Sequence, residues 1–219
     1  MQKGFFRENG LTLVFLSLFV VTIILQAFTG WKEHNNELEQ DKYPPTTFIA
    51  YLSSGHFVEA TFENWESEFL QMALFIVLTR GLRQKGSSES KKLKGEEEVD
   101  REPDPNKKDA PWPVHKGGLV LALYKNSLTI VMTLFFVISF ALHFGGSFVE
   151  SNEEHVRKGL PTETAVEYLQ GPKFWFESFQ NWQSEFLSIA AIVVLSIYFR
   201  QQGSPQSKPV DAANADTGE

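Results

Sequence analysis

Two stretches of about 18 residues, Leu11 to Phe28 and Ser127 to Phe144, contain no Asp, Glu, Lys or Arg. As helix each would extend about 27 Å, close to the roughly 30 Å hydrocarbon thickness of a bilayer. Both read as membrane spans. The mean hydropathy of −0.19 and the 21% of charged residues resemble those of a soluble protein, because the averages conceal how strictly the charges are segregated. Twenty Phe and three Met suit lipid-facing and helix-packing surfaces, and the lack of Cys excludes disulfides, thiolate metal sites and thiol chemistry.

The chain also repeats itself. A shift of 117 positions aligns its halves without a gap: Asn9, Leu11, Thr12, Val14, Phe19, Val20 and Leu25 meet Asn126, Leu128, Thr129, Val131, Phe136, Val137 and Leu142. Pro44, Thr47, Tyr51 and Leu52 meet Pro161, Thr164, Tyr168 and Leu169, and FENWESEFL from Phe62 meets FQNWQSEFL from Phe179. Roughly a third of about 80 aligned positions are identical, which marks a duplicated unit. Lys3 and Arg7 ahead of an apolar run, with Ala27 and Gly30 after it, also fit a signal peptide. A cleavable signal has no reason to match an internal span, so the first helix is expected to be retained.

Each unit needs a second span to return the chain, and the apolar runs Phe69–Leu82 and Phe186–Phe199 cover only about 14 residues, or roughly 21 Å. A crossing takes about 20 residues, so the turns Phe62–Glu68 and Phe179–Glu185 must join the helix. Trp65 and Trp182 would then lie near the headgroups as interface anchors. The expected organisation is all-α. A first hairpin over 1–85 has spans at about 11–28 and 63–82; a disordered linker occupies 86–113. A second hairpin over 114–203 has spans at about 122–144 and 180–199, and a disordered tail covers 204–219.

Fifteen of the 20 Lys and Arg residues fall in the N-terminal tail, the central linker with its flanks and the C-terminal tail. By the positive-inside bias these segments and both termini are cytoplasmic, and the loops 29–61 and 145–178 are external. An even number of spans per unit makes this a parallel repeat, with its pseudo-twofold axis along the membrane normal. Within the loops, a short helix is expected from Thr46 or Thr47, ending at Gly55. A second is expected from a Thr164–Glu167 capping box, ending at Gly171-Pro172. Gly30, Gly145 and Gly146 read as helix ends. Lys85–Pro113 has almost no apolar residues with which to offset its ordering entropy, and the apolar residues between Trp112 and Tyr124 suggest an interfacial approach to the third span.

One polar constellation recurs, N-W-x-S-E-F-L. On a helix Asn64, Glu68 and Gln71 share a face with Ser67 beside it, and Asn181, Glu185 and Ser188 do the same with Ser184. Facing lipid, an ionised Glu would cost on the order of 2 to 3 kcal/mol at full depth, so the stripe should face protein or water. It can serve as a pair of cation or proton sites, or as hydrogen-bonding side chains that hold hairpins together where lipid offers no hydrophobic drive. His34, His56, His115 and His155 do not recur at the offset, and no H-x-x-H or H-E-x-x-H spacing occurs, so neither a metal site nor a cofactor is expected. No phosphate loop, nucleophile elbow or dinucleotide fingerprint is present, and no enzyme activity or nucleic-acid partner is expected.

Through the repeated N-W-x-S-E-F-L and the four-span layout, the chain resembles a family of small bacterial integral membrane proteins classed as a domain of unknown function. That resemblance implies a bacterial inner-membrane location and supplies no activity. The residues lead to a non-enzymatic membrane protein that assembles through the polar stripe, with itself or with a membrane-protein partner; the alternative is a small cation- or proton-linked transport protein using Glu68 and Glu185.

Overall fold

A computed structural model describes residues 2–218 of the chain, with side chains from Gly4 onward. The side chain of Lys3 in the basic N-terminal tail and the whole of Glu219 in the predicted C-terminal tail lie outside the described residues. Among the described residues the chain is helical and has no strand. In chain order the helices are α1 (Gln2–Gln40), α2 (Phe48–Tyr51), α3 (Gly55–Gly81), α4 (Trp112–Lys116), α5 (Gly118–Lys125), α6 (Ser127–Arg157), α7 (Ala165–Gln170) and α8 (Pro172–Tyr198). The helices over Gly4–Gln40 and Ser127–Arg157 are long and apolar enough to cross a membrane. Only 6% and 11% of their most apolar windows are buried by the rest of the chain. In the core helix of a soluble protein that surface would be covered.

The chain divides into two compact units, Met1–Phe62 with Ala141–Phe174, and Glu63–Phe140 with Trp175–Glu219. In the first unit, α1 and α6 continue well past the charge-free runs. The expectation that Gly30, Gly145 and Gly146 end helices is therefore corrected, since all three lie inside helices. Gly30 and Gly146 instead admit close neighbours. A Cβ at Gly30 would run into the Tyr51 phenol, and one at Gly146 would come within 2.5 Å of the Glu59 amide nitrogen and 3.0 Å of the Gly55 carbonyl oxygen. A Cβ at Gly55 would in turn stand 2.8 Å from the Gly146 carbonyl oxygen. Small residues on both helices let the start of α3 and the middle of α6 meet at backbone distance. Gly55 thus opens α3 and does not stop the preceding helix as its composition suggests.

The loop helices start where their caps lie. Thr47 caps α2 by accepting from the Ala50 amide, and Thr164 with Glu167 forms the full capping box on α7, which ends at Gly171. Pro172 then takes the first position of α8, where its missing N–H costs nothing. Asn35 exchanges two hydrogen bonds with the Thr46 backbone, at 2.7 and 3.1 Å. Asn152 makes the same pair with the Glu163 backbone at the same distances, and both residues stand 117 positions on. Tyr51 and Tyr168, also 117 apart, are both buried; Tyr51 lies over Gly30, and Tyr168 hydrogen-bonds Ser147, the residue corresponding to Gly30.

In the second unit, α4 and α5 approach α6 as two short helices separated at Gly117, whose φ of 68° breaks the run. Between α3 and α4 the one regular element among the described residues is a single 3-10 turn, Glu98–Asp100. The start of this stretch is tied to α8 and to the C-terminal tail. Ser87 and Ser196 hydroxyls pair at 2.9 Å, the Gly86 amide donates to Thr217 at 2.8 Å, and the Gly218 amide donates to the Ser87 carbonyl at 3.1 Å. Within the tail, Lys208 is buried and donates to the carbonyls of Ala213, Asn214 and Asp216. The partners in these contacts are hydroxyl, ammonium and backbone groups.

Candidate functional site

The N-W-x-S-E-F-L turns lie inside α3 and α8, in the second unit. Burial divides the predicted stripe. On α3, Ser67 and Gln71 are buried while Asn64 and Glu68 are exposed; on α8, Asn181 and Glu185 are half-buried while Ser184 and Ser188 are exposed. Ser67, Ser184 and Ser188 each donate to the carbonyl three residues earlier in their own helix, at 2.8 Å in every case.

The bonds that join α3 to α8 end on two acids outside the stripe, and Asn181 of the stripe is one of their donors. Glu66 is fully buried and accepts from the Trp182 indole at 2.7 Å, and Glu63 accepts from the Asn181 amide. Trp182, half-buried, packs edge-on against Phe136 of α6, and Phe69 of α3 packs on Phe135. The predicted interface anchor Trp182 is therefore also a hydrogen-bond donor inside the protein; Trp65 is half-buried. Because Glu63 and Glu66 correspond to Gln180 and Gln183 in the second copy, looking for residues shared by both copies passes over them. The usable signal is a pair of positions where the motif changes charge while its neighbours stay fixed.

The first unit contains a second polar group. His34 and Glu37 lie one turn apart on α1, and His56 stands in the first turn of α3. One ligand atom from each can be chosen so that all three lie within 4.8 Å of one another. His34 is 4% exposed, its ring centre is 5.0 Å from that of His56, and its Nδ1 lies 3.9 Å from Glu37 Oε2. Burial pulls the His34 imidazole below its usual range, partly opposed by the Glu150 charge. The Tyr51 hydroxyl is 3.1 Å from His56 Nδ1, and burial, helped by Glu150 and Glu37, pushes this phenol up to about 12. Beside them Arg157 donates to Glu150 at 3.1 Å and to Asp41 at 3.2 Å. Two imidazoles and a carboxylate form a donor set suited to a metal ion, and sequence spacing missed it because His34 and His56 meet only through the fold.

A profile for the domain of unknown function DUF6766 matches residues 2–219. The chain belongs to that family. No curated protein and no solved structure matches it. In this DUF6766 chain the motif region can cross-link helices through buried hydrogen bonds, while the histidine group has the chemistry to coordinate a cation.

Proposed function

We propose that this chain is a four-span integral membrane protein of a bacterial inner membrane, with both termini cytoplasmic, whose two tandem hairpins serve a structural or interaction role without enzymatic activity. The observation that carries this is the pair of apolar helix windows in α1 and α6 left almost wholly unburied by the chain, which lipid or a membrane partner would cover. At 27 residues each, α3 and α8 are about 40 Å long and could complete the crossings once the motif turns are included. The matching Asn35–Thr46 and Asn152–Glu163 pairs and the buried Tyr51 and Tyr168 support a duplicated hairpin. The distribution of Lys and Arg supports the orientation, and the resemblance noted above supports the bacterial location.

The structural role draws on Glu66 and Glu63, whose carboxylates are engaged by side chains of another helix. Polar groups of this kind hold helices together where lipid is as apolar as the side chains it surrounds. The partners are then the bilayer and either a second copy or another membrane protein. The test is flux in liposomes across a panel of ions, comparing the wild type with a Glu68→Gln, Glu185→Gln variant. A scaffold leaves both at the rate of protein-free vesicles. An ion flux in the wild type that the double variant abolishes would overturn the proposal.

A further inference from the structure

We propose that His34, Glu37 and His56 form a binding site for one divalent transition-metal ion, with Zn2+ the species their chemistry fits best. The buried His34 ring turns Nδ1 toward Glu37, and among the described residues this nitrogen has no hydrogen-bond partner. A buried nitrogen left without a partner is costly, and a metal ion would satisfy it. His56 complements it: the Tyr51 hydroxyl engages Nδ1, leaving Nε2 as the coordinating atom. An outer partner of this kind fixes both the ring orientation and the tautomer of a metal-bound histidine.

The donor set selects among ions. Mg2+ and Ca2+ take oxygen ligands, and soft ions such as Cu(I) take thiolates or thioethers; two imidazole nitrogens with one carboxylate suit Zn2+ and similar borderline ions. Zn2+ holds nitrogen and carboxylate oxygen at about 2.0–2.2 Å. Ligand atoms already within 4.8 Å of one another would close around it by side-chain movements on the order of 1 Å. The Glu37 side chain is 45% exposed, which gives the ion a way in from solvent and leaves a fourth position for water.

The second copy supplies an internal comparison. At the corresponding positions it carries Ser151, Glu154 and Lys173, so the carboxylate is retained, neither imidazole is present, and a fixed positive charge replaces His56. The expected stoichiometry is therefore one ion per chain. The site depends on neither the number of spans nor their orientation, so its failure and that of the four-span reading are distinguishable.

The test uses the full chain in detergent, with any polyhistidine tag removed, stripped with a chelator and dialysed against Zn2+, with bound metal measured by atomic emission. The wild type should bind one Zn2+ per chain saturably and melt at a higher temperature when loaded. His34→Ser and His56→Lys, which install the residues of the second copy, should abolish both effects, and Tyr51→Phe should weaken binding about tenfold or more. His115→Ala, far along the sequence and exposed, should bind as the wild type does. Circular dichroism checks that each variant folds; should the buried His34 variant not fold, Glu37→Gln keeps the shape of a half-exposed side chain and should still lose saturable binding. No saturable binding by the wild type, or equal binding by His56→Lys and Glu37→Gln, would overturn the site.

Discussion

Trp182 of α8 donates its indole N–H to the Glu66 carboxylate of α3 across 2.7 Å, and the acceptor is completely enclosed by protein. Removing a donor from a buried acceptor costs about 1–3 kcal/mol. Trp182→Phe, which keeps an aromatic ring beside Phe136 but has no N–H, should lower unfolding stability by that order. Glu66→Gln retains a carbonyl acceptor and installs the residue found at Gln183, so it should cost less than Trp182→Phe. Thermal unfolding in detergent of the two single variants and the double variant measures the coupling; equal costs for both single changes with no coupling would contradict this account.

The phenol of Tyr51 occupies the space that a side chain at Gly30 would need. Gly30→Ala should therefore destabilise the first unit by roughly 1–3 kcal/mol, the usual cost of overpacking. Adding Tyr51→Phe removes the colliding oxygen and should recover part of the loss. At the corresponding place in the second copy, Ser147 already carries a side chain that bonds Tyr168, so Ser147→Ala loses a hydrogen bond without creating a clash. Melting temperatures of the three variants decide the point, and a Gly30→Ala protein as stable as the wild type would contradict it.

Arg157 bridges Glu150 and Asp41, and its side chain and that of Glu150 are each only 9% exposed. Breaking a buried pair by removing one partner costs about 3–5 kcal/mol, because a charge is left uncompensated, whereas removing both costs much less. Arg157→Met should therefore be more damaging than Arg157→Met combined with Glu150→Gln. Denaturant unfolding measures the order, and a double variant weaker than the single would contradict it.

The stretch between α3 and α4 is anchored at its start by Ser87 and Gly86, whereas residues 102–109 carry no regular structure. The one ion pair described there, Lys125 with Glu102, is exposed and worth about 0–1 kcal/mol. Deleting residues 103–109 should thus leave the melting temperature within a few degrees of the wild type, while Ser87→Val, which buries an apolar group against Ser196, should lower it. A large loss on the deletion would show that the segment has an essential packing role.

Local chemistry was readable in the sequence and tertiary chemistry was not. The charge-free runs marked the apolar windows of α1 and α6, and the Thr47 cap and the Thr164–Glu167 box lie where their short-range signals place them. Gly30 and Gly146 were misread because a glycine that stops a helix and one that admits a neighbouring group look alike until the neighbour is known. The shared acids Glu68 and Glu185 drew attention away from Glu63 and Glu66, which make the bonds between α3 and α8. His34 and His56 escaped because α1 and α3 bring them together across the Tyr51 turn, at a separation no linear metal motif describes.

The central claim is that all four long helices cross the membrane. The chain has no Cys, so single-cysteine variants can be labelled without background. Gln40→Cys, Leu160→Cys, Lys94→Cys and Gln202→Cys place a thiol at exposed positions at the end of α1, after α6, between α3 and α4, and after α8. In intact cells a membrane-impermeant maleimide should label Cys at 40 and 160 and leave 94 and 202 unlabelled until the membrane is opened. Labelling at 94 from outside, to the same extent as at 40, would mean that α3 does not cross, and would contradict the account.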